Sequence, residues 1–170
     1  MTGRHADILI LLSRHPEGLS ADHLAMLLDD KDLDVVTVRA EMSRLRKVVG
    51  AETIASRPYR LLVPITTDFA EVHEALDTGD VTAALDRYAG PLLPQSIAPG
   101  VARLRAELTM TLRAAVLTTG DPVVLRRWLD SPDGRDDREG WRALHDGTLP
   151  GSVQQAQARG RLAGLDLDFG

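Results

Sequence analysis

Between Val35 and Leu62 the chain reads VVTVRAEMSRLRKVVGAETIASRPYRLL, a helix-period apolar stripe followed at once by two β-prone runs around a proline. At about 100° per residue, Val38, Met42, Leu45 and Val49 fall in one narrow line. That line predicts the buried face of a helix from about Val36 to Val49, closed by Gly50 as a natural C-cap. The opposite face carries Val36, Ala40, Ser43 and Lys47, with Thr37 and Arg44 on one flank and Arg39 and Arg46 on the other. Its centre is mostly small and its surround basic. After Gly50, Thr53–Ser56 and Tyr59–Val63 predict the strands of a short hairpin, with Arg57-Pro58 at the turn because proline has no N–H to give a central strand. A lone hairpin is marginal, so it is expected to pack on the helix.

Two more helices precede this stretch. Ala6 to Arg14 sets Ile8, Leu11 and Leu12 on one side with Leu9 beside them, and should stop at His15-Pro16. Glu17-Gly18 makes a turn, and Ser20 is a good N-cap for a second helix with Asp22 in its first turn. Leu19 and Leu24 sit at the two positions of a hydrophobic staple, and Leu24, Leu27 and Leu28 face inward. The acidic run Asp29 to Asp34 is expected to be a solvated turn.

Charge is unevenly spread. The formal net charge is −5. Residues 1–64 hold nine Lys/Arg against nine Asp/Glu, so residues 65–170, with eleven against sixteen, carry the whole excess. Within residues 36–64, Arg39, Arg44, Arg46, Lys47, Arg57 and Arg60 face only Glu41 and Glu52, a local +4. A focused basic patch steers toward phosphate even on an acidic molecule.

The segment Val38 to Gly50, followed by Ile54-Ala-Ser-Arg57-Pro-Tyr59-Arg60-Leu61, resembles the winged helix of the OmpR/PhoB type. That family has a similar Ile-Ser-Arg-Leu-Arg pattern in its recognition helix and ends its wing in Gly-Tyr-Arg-Leu; Pro58 stands here in place of the glycine. The resemblance covers about residues 6–64. It implies that Thr37, Arg39, Ser43, Arg44 and Lys47 lie on a DNA-facing helix, with Arg57 on the wing; Arg46, on the basic flank, and Arg60, placed to serve an adjacent phosphate, complete the expected DNA contacts. Too few residues precede Ala6 for the small sheet with which that type begins, so either the sheet is absent or the chain is the C-terminal part of a longer one.

Residues 65–170 read as helical throughout. Leu76 to Tyr88 and Leu117 to Trp128 echo each other: a helix ends on Gly79 or Gly120, and the next opens on Asp80 or Asp121, with Pro122 at the first helical position of the second. Gly90-Pro91-Leu92-Leu93-Pro94 is a non-helical, proline-bounded loop. A long helix is predicted from about Ile97 to Thr118, with Ile97, Val101, Leu104, Leu108, Leu112 and Ala115 spaced by three and four. Two more follow, at about Arg135–His145 and Val153–Leu165, and the tail from Asp166 is expected to fray. Asp68-Phe69, Gly79-Asp80, Ala84-Leu85 with Tyr88, and Gly90-Pro91-Leu92-Leu93 resemble the bacterial transcriptional activator domain, a tetratricopeptide-like module. It follows an OmpR-type winged helix in AfsR/SARP-type regulators of actinobacteria. The whole chain also resembles the C-terminal output half of actinobacterial GAF-containing regulators.

Several chemistries find no footing. Hydrophobic residues make up 44% and aromatics 4%, which suits packed helices, and cysteine is absent, which points to a cytosolic setting. The longest aliphatic run, Ile8 to Leu12, is too short for a bilayer, so no membrane partner is expected. His5, His15, His23, His73 and His145 lack metal spacing and read as surface or helix-end residues. Asp133, Asp136 and Asp137 do not follow an EF-hand loop and read as a capped loop, and Trp128 and Trp141 read as core anchors. No nucleophile elbow, phosphate loop or dinucleotide fingerprint is present, so neither an enzyme nor a cofactor is expected.

The expected fold is mainly α: a winged helix-turn-helix over 1–64 and a tetratricopeptide-like helical-hairpin domain over 65–170. The expected function is a transcriptional regulator, cytoplasmic and nucleoid-associated. It would bind double-stranded DNA through helix and wing, and RNA polymerase or another protomer, as in a homodimer, through the helical half. The alternative is a protein-interaction adaptor whose winged helix does not bind DNA.

Overall fold

The computed structural model describes residues 2–29 and 33–169. The chain divides into two compact units, one of Met1–Thr66 with Leu92–Ala106, the other of Thr67–Pro91 with Glu107–Gly170. Leu92–Ala106 belongs with the first unit although the expected division is a single cut after residue 64.

The first unit holds α1 (Gly3–Ser13), α2 (Ala21–Leu28), α3 (Val35–Val49) and the antiparallel pair β1 (Ile54–Ser56) and β2 (Tyr59–Leu61). Helix α1 begins three residues before the expected start because the Thr2 side chain caps it, accepting from the His5 N–H. It ends before His15-Pro16, as the proline requires. Ser20 caps α2, and both staple residues are buried, Leu19 at 1% and Leu24 at 0% exposure. In α3, Val38, Met42 and Leu45 are buried and Val49 is half-buried, as the stripe predicts. The acidic turn expected over 29–34 lies, for residues 30–32, outside the described residues.

The hairpin is not alone. Leu19 pairs with Tyr59 through two backbone hydrogen bonds of 2.9 Å, so the segment between α1 and α2 lies alongside β2. Gly18 makes this approach possible. Its φ is +90°, and a Cβ there would meet the Pro58 ring at 2.7 Å and the Tyr59 carbonyl at 3.0 Å. The turn of the hairpin contains the cis peptide Arg57-Pro58.

Residues 92–106 return to this unit as a loop and the start of α6 (Pro99–Thr119). Ala98 and Val101 are buried. Gly100 sits so near α1 and α2 that a Cβ would lie 2.7 Å from Leu11 and 3.0 Å from Leu27. Ile97, expected on the buried stripe, is 93% exposed, because the helix begins only at Pro99 and the 3.6-residue period does not reach back past it.

The second unit holds α4 (Asp68–Asp77), α5 (Val81–Arg87), the rest of α6 from Glu107, α7 (Pro122–Leu129), α8 (Arg138–Gly147) and α9 (Val153–Phe169). Both echoed turns form as expected: the Asp80 side chain accepts from the Ala83 N–H and that of Asp121 from the Val123 N–H. Trp128 and Trp141 are core residues at 0% and 7% exposure. Asp137 caps α8, accepting from the Gly140 N–H, and also accepts from the Trp128 indole and both arms of Arg113. Burial works to raise the Asp137 pKa. The bonds from Arg113, Trp128 and Gly140 outweigh it and hold the carboxyl below its ordinary range. Burial pushes the Tyr88 hydroxyl up, aided by its hydrogen bond to Asp133. The chain does not fray from Asp166: α9 continues to Phe169, and Arg138 reaches both the Leu165 carbonyl and the Asp166 carboxylate. No helix among the described residues is long and apolar enough to cross a membrane.

Candidate nucleic-acid interface

Helix α3 starts on Asp34, whose side chain accepts from the Val36 N–H, and carries Arg46 and Lys47 in its last turn, where positive charge suits the helix dipole. Its outer face presents Thr37, Arg39, Ser43, Arg44 and Lys47 to solvent, while Arg46 is half-buried. On the hairpin, Arg57 and Arg60 are exposed.

An open groove of about 1050 Å³ runs between this face and the hairpin. Arg39, Ser43, Arg46 and Lys47 line it from α3 and Arg57 from the hairpin turn, so five of the expected residues converge on one concavity. Thr37, Arg44 and Arg60 lie outside its lining. Thr37 and Arg44 sit on the other flank of α3, as the helical wheel requires. Arg60 alternates with Tyr59, which faces the groove, and side chains on a strand alternate between faces. Ser20 and Asp22, at the start of α2, complete the wall. Both were visible in the sequence, as a cap and a first-turn acid, but only the fold sets them opposite α3.

The charged groups are not equivalent. Arg39, Lys47 and Arg57 form no ion pair among the described residues. Arg44 pairs with Glu41 one turn before it, although it stays 65% exposed. Behind Glu41 lies His5, with Nε2 3.5 Å from the carboxylate and neither ring nitrogen hydrogen-bonded. His5 lies in the first turn of α1, a helix end as expected, but it is not on the surface: it is 5% exposed, because it shares the α1 face that carries Ile8 and Leu12.

Arg46 does something else again. One guanidinium nitrogen donates to the Ser56 hydroxyl and another to the Ile54 carbonyl, and its Nε is buried without an acceptor. Thr53 adds a bond from its hydroxyl to the Val49 carbonyl. Arg46 therefore ties α3 to β1, which leaves fewer of its donors for a ligand than the helical wheel alone suggests.

Comparison with known proteins touches both units. A family model described as YTH3-like protein, third C-terminal helical domain, matches residues 121–170, which is α7 to α9 starting from the Asp121 cap. A protein of Rhodococcus erythropolis, named "Uncharacterized 47.3 kDa protein in thcA 5'region", is 50% identical over 167 residues, 98% of this chain. The chain spans 38% of that relative's length. No solved structure matches the chain.

Proposed function

We propose that this chain is a transcriptional regulator that binds duplex DNA with α3 in the major groove and the β1–β2 hairpin as a wing. The first unit then reads as a winged helix-turn-helix. The second reads as a tetratricopeptide-like module for oligomerisation or for RNA polymerase. The observation that carries this is the groove in which Arg39, Lys47 and Arg57 converge around the small Ser43 with no carboxylate partner among the described residues. Small residues admit a helix close to base edges, and unpaired cations on its rim are free to displace counterions from phosphate.

A fluorescent duplex titrated at rising salt tests it. Each phosphate neutralised contributes about 0.9 to the slope of log affinity against log salt. Binding should therefore weaken steeply with salt, and the slope should shrink when Arg39, Lys47 and Arg57 are replaced by alanine. Affinity that ignores salt, or that the triple variant retains, would sink the proposal. Protein partners that survive nuclease treatment would in that case support the adaptor.

A further inference from the structure

A second cavity, of about 390 Å³, lies in the first unit between the start of α1 and the loop before α6. It shares no lining residue with the α3–hairpin groove and does not depend on the reading of that groove. Its volume falls within the range of small-ligand pockets.

One side chain in its wall is out of place for a merely structural surface. Asp7 is 8% exposed, and its carboxylate has neither a hydrogen-bond nor an ion-pair partner among the described residues. Its oxygens are not sealed from solvent as the His5 ring nitrogens are, so the little surface that Asp7 keeps opens on the cavity. The neighbouring cation does not neutralise it: Arg4 donates to the Leu28 carbonyl at 2.7 Å and makes no ion pair with Asp7. Around this charge the wall is largely apolar, formed by Leu93, Pro94, Ile97 and Ala98, with Gln95 and Ser96 as neutral polar groups.

The loop is built to hold its shape. Arg105 donates to three of its carbonyls, Leu92 at 2.6 Å, Leu93 at 2.5 Å and Ser96 at 3.0 Å. The Ser96 N–H closes back on the Leu93 carbonyl at 2.8 Å. Leu93 is held at φ +40°, a conformation a branched side chain adopts only where its surroundings enforce it. The loop side of the pocket is thus held in shape, with one unpartnered carboxyl group beside a largely apolar wall.

We infer that this cavity binds a small amphiphilic amine, its ammonium group on the Asp7 carboxylate and its apolar body against Leu93, Pro94 and Ile97.

The test is an NMR amide titration of the whole chain with cyclohexylammonium and n-hexylammonium chloride, set against neutral cyclohexanol. For such small probes a Kd on the order of 1 mM is expected. Shifts should be confined to residues 3–8 and 92–98, and cyclohexanol should produce few. Asp7→Asn should remain folded, with a melting temperature close to the parent's because the carboxyl group holds no partner, and should bind the amines at least tenfold more weakly, about 1.4 kcal/mol. Ile97→Ser, at an exposed position that cannot unfold the chain, should weaken n-hexylammonium more than methylammonium. The inference is overturned if neither amine shifts these amides, if cyclohexanol shifts them as strongly, or if Asp7→Asn binds as well as the parent. Unfolding of Asp7→Asn would also overturn it, since the carboxylate would then be structural.

Discussion

The two units differ in how many of their arginines are paired. In the second, Arg87, Arg113, Arg126, Arg127, Arg138 and Arg161 each meet a carboxylate of the same unit. In the first, Arg39, Lys47, Arg57 and Arg60 meet none among the described residues, and three of these four line one groove. The second unit is the acidic one, yet these six arginines are spent internally, while Arg135, Arg142 and Arg159 form no ion pair among the described residues. The first is neutral over residues 1–64, yet these four cations are available, although Arg44 pairs with Glu41 and Arg46 is held by the hairpin. The difference teaches that a net charge of −5 says little about phosphate binding until each cation's partner is known.

The sharpest way to break this comparison is to neutralise equal numbers of cations on the two sides. Replacing Arg39, Lys47 and Arg57 with alanine should weaken duplex binding by at least 100-fold at low salt and cut the salt slope by about 0.9 for each phosphate left unneutralised. Replacing Arg126, Arg127 and Arg161, all bound to acids, should leave duplex affinity within about twofold, since paired surface charges contribute little. Equal losses from both sets, read by anisotropy, would dissolve the distinction.

The next largest effect concerns stability of the second unit. Asp137→Asn leaves Arg113 without its main partner and weakens the acceptor for the Trp128 indole, at a cost of about 3 kcal/mol. The folded Asp137 pKa lies below its unfolded value, so its stabilisation is fully present above about pH 4 and is lost as pH falls through the lower folded value. Thermal melts from pH 7 to pH 2 should show a steeper acid limb for the parent than for Asp137→Asn. Parallel curves would mean that the Asp137 pairing does not stabilise the fold.

A smaller effect separates position from direct binding. Arg46→Met removes the tie from α3 to Ser56 and Ile54, so Arg57 should lose its placement and with it most of its contribution. In a double-mutant cycle, Arg57→Ala should cost tenfold in the parent and under threefold with Met at position 46, whereas Arg39→Ala should cost the same in both. A full Arg57 effect in the Arg46→Met background would return Arg46 to the role of a direct DNA ligand. Smallest of all, Glu41→Gln should free Arg44 and raise duplex affinity about twofold, because an i,i+3 surface pair contributes only about 0.5 kcal/mol. An unchanged affinity would place Arg44 away from the DNA.

How legible the molecule was depended on the range of each interaction. The α3 stripe, the Ser20 cap and staple, the Asp80 and Asp121 caps, the proline stop at His15-Pro16 and the tryptophan anchors were all readable, because each rests on residues within a turn or two of one another. The candidate groove was readable as a set of basic residues, but not as a partition of them. That Arg46 is held by the hairpin, that Arg44 is paired and that Arg39, Lys47 and Arg57 are not follows from distances across the fold. Asp7 carries a signal of its own in the helical period: it lies three residues before Ile10 and four before Leu11, on the face that is buried.

By itself the sequence determined which segments are helical, which residues cap several of them, and that basic residues gather between Arg39 and Arg60, since propensity, capping and periodicity are local, while several helix ends shifted by two to four residues. Only the tertiary structure decided that Leu19 extends the hairpin, that Leu92–Ala106 returns to the first unit, and that the largely buried Asp7 lines a cavity with the loop before α6. Those outcomes follow from packing between residues far apart in the chain, where a backbone pairing or a glycine without a Cβ sets the approach and no nearby pattern records it.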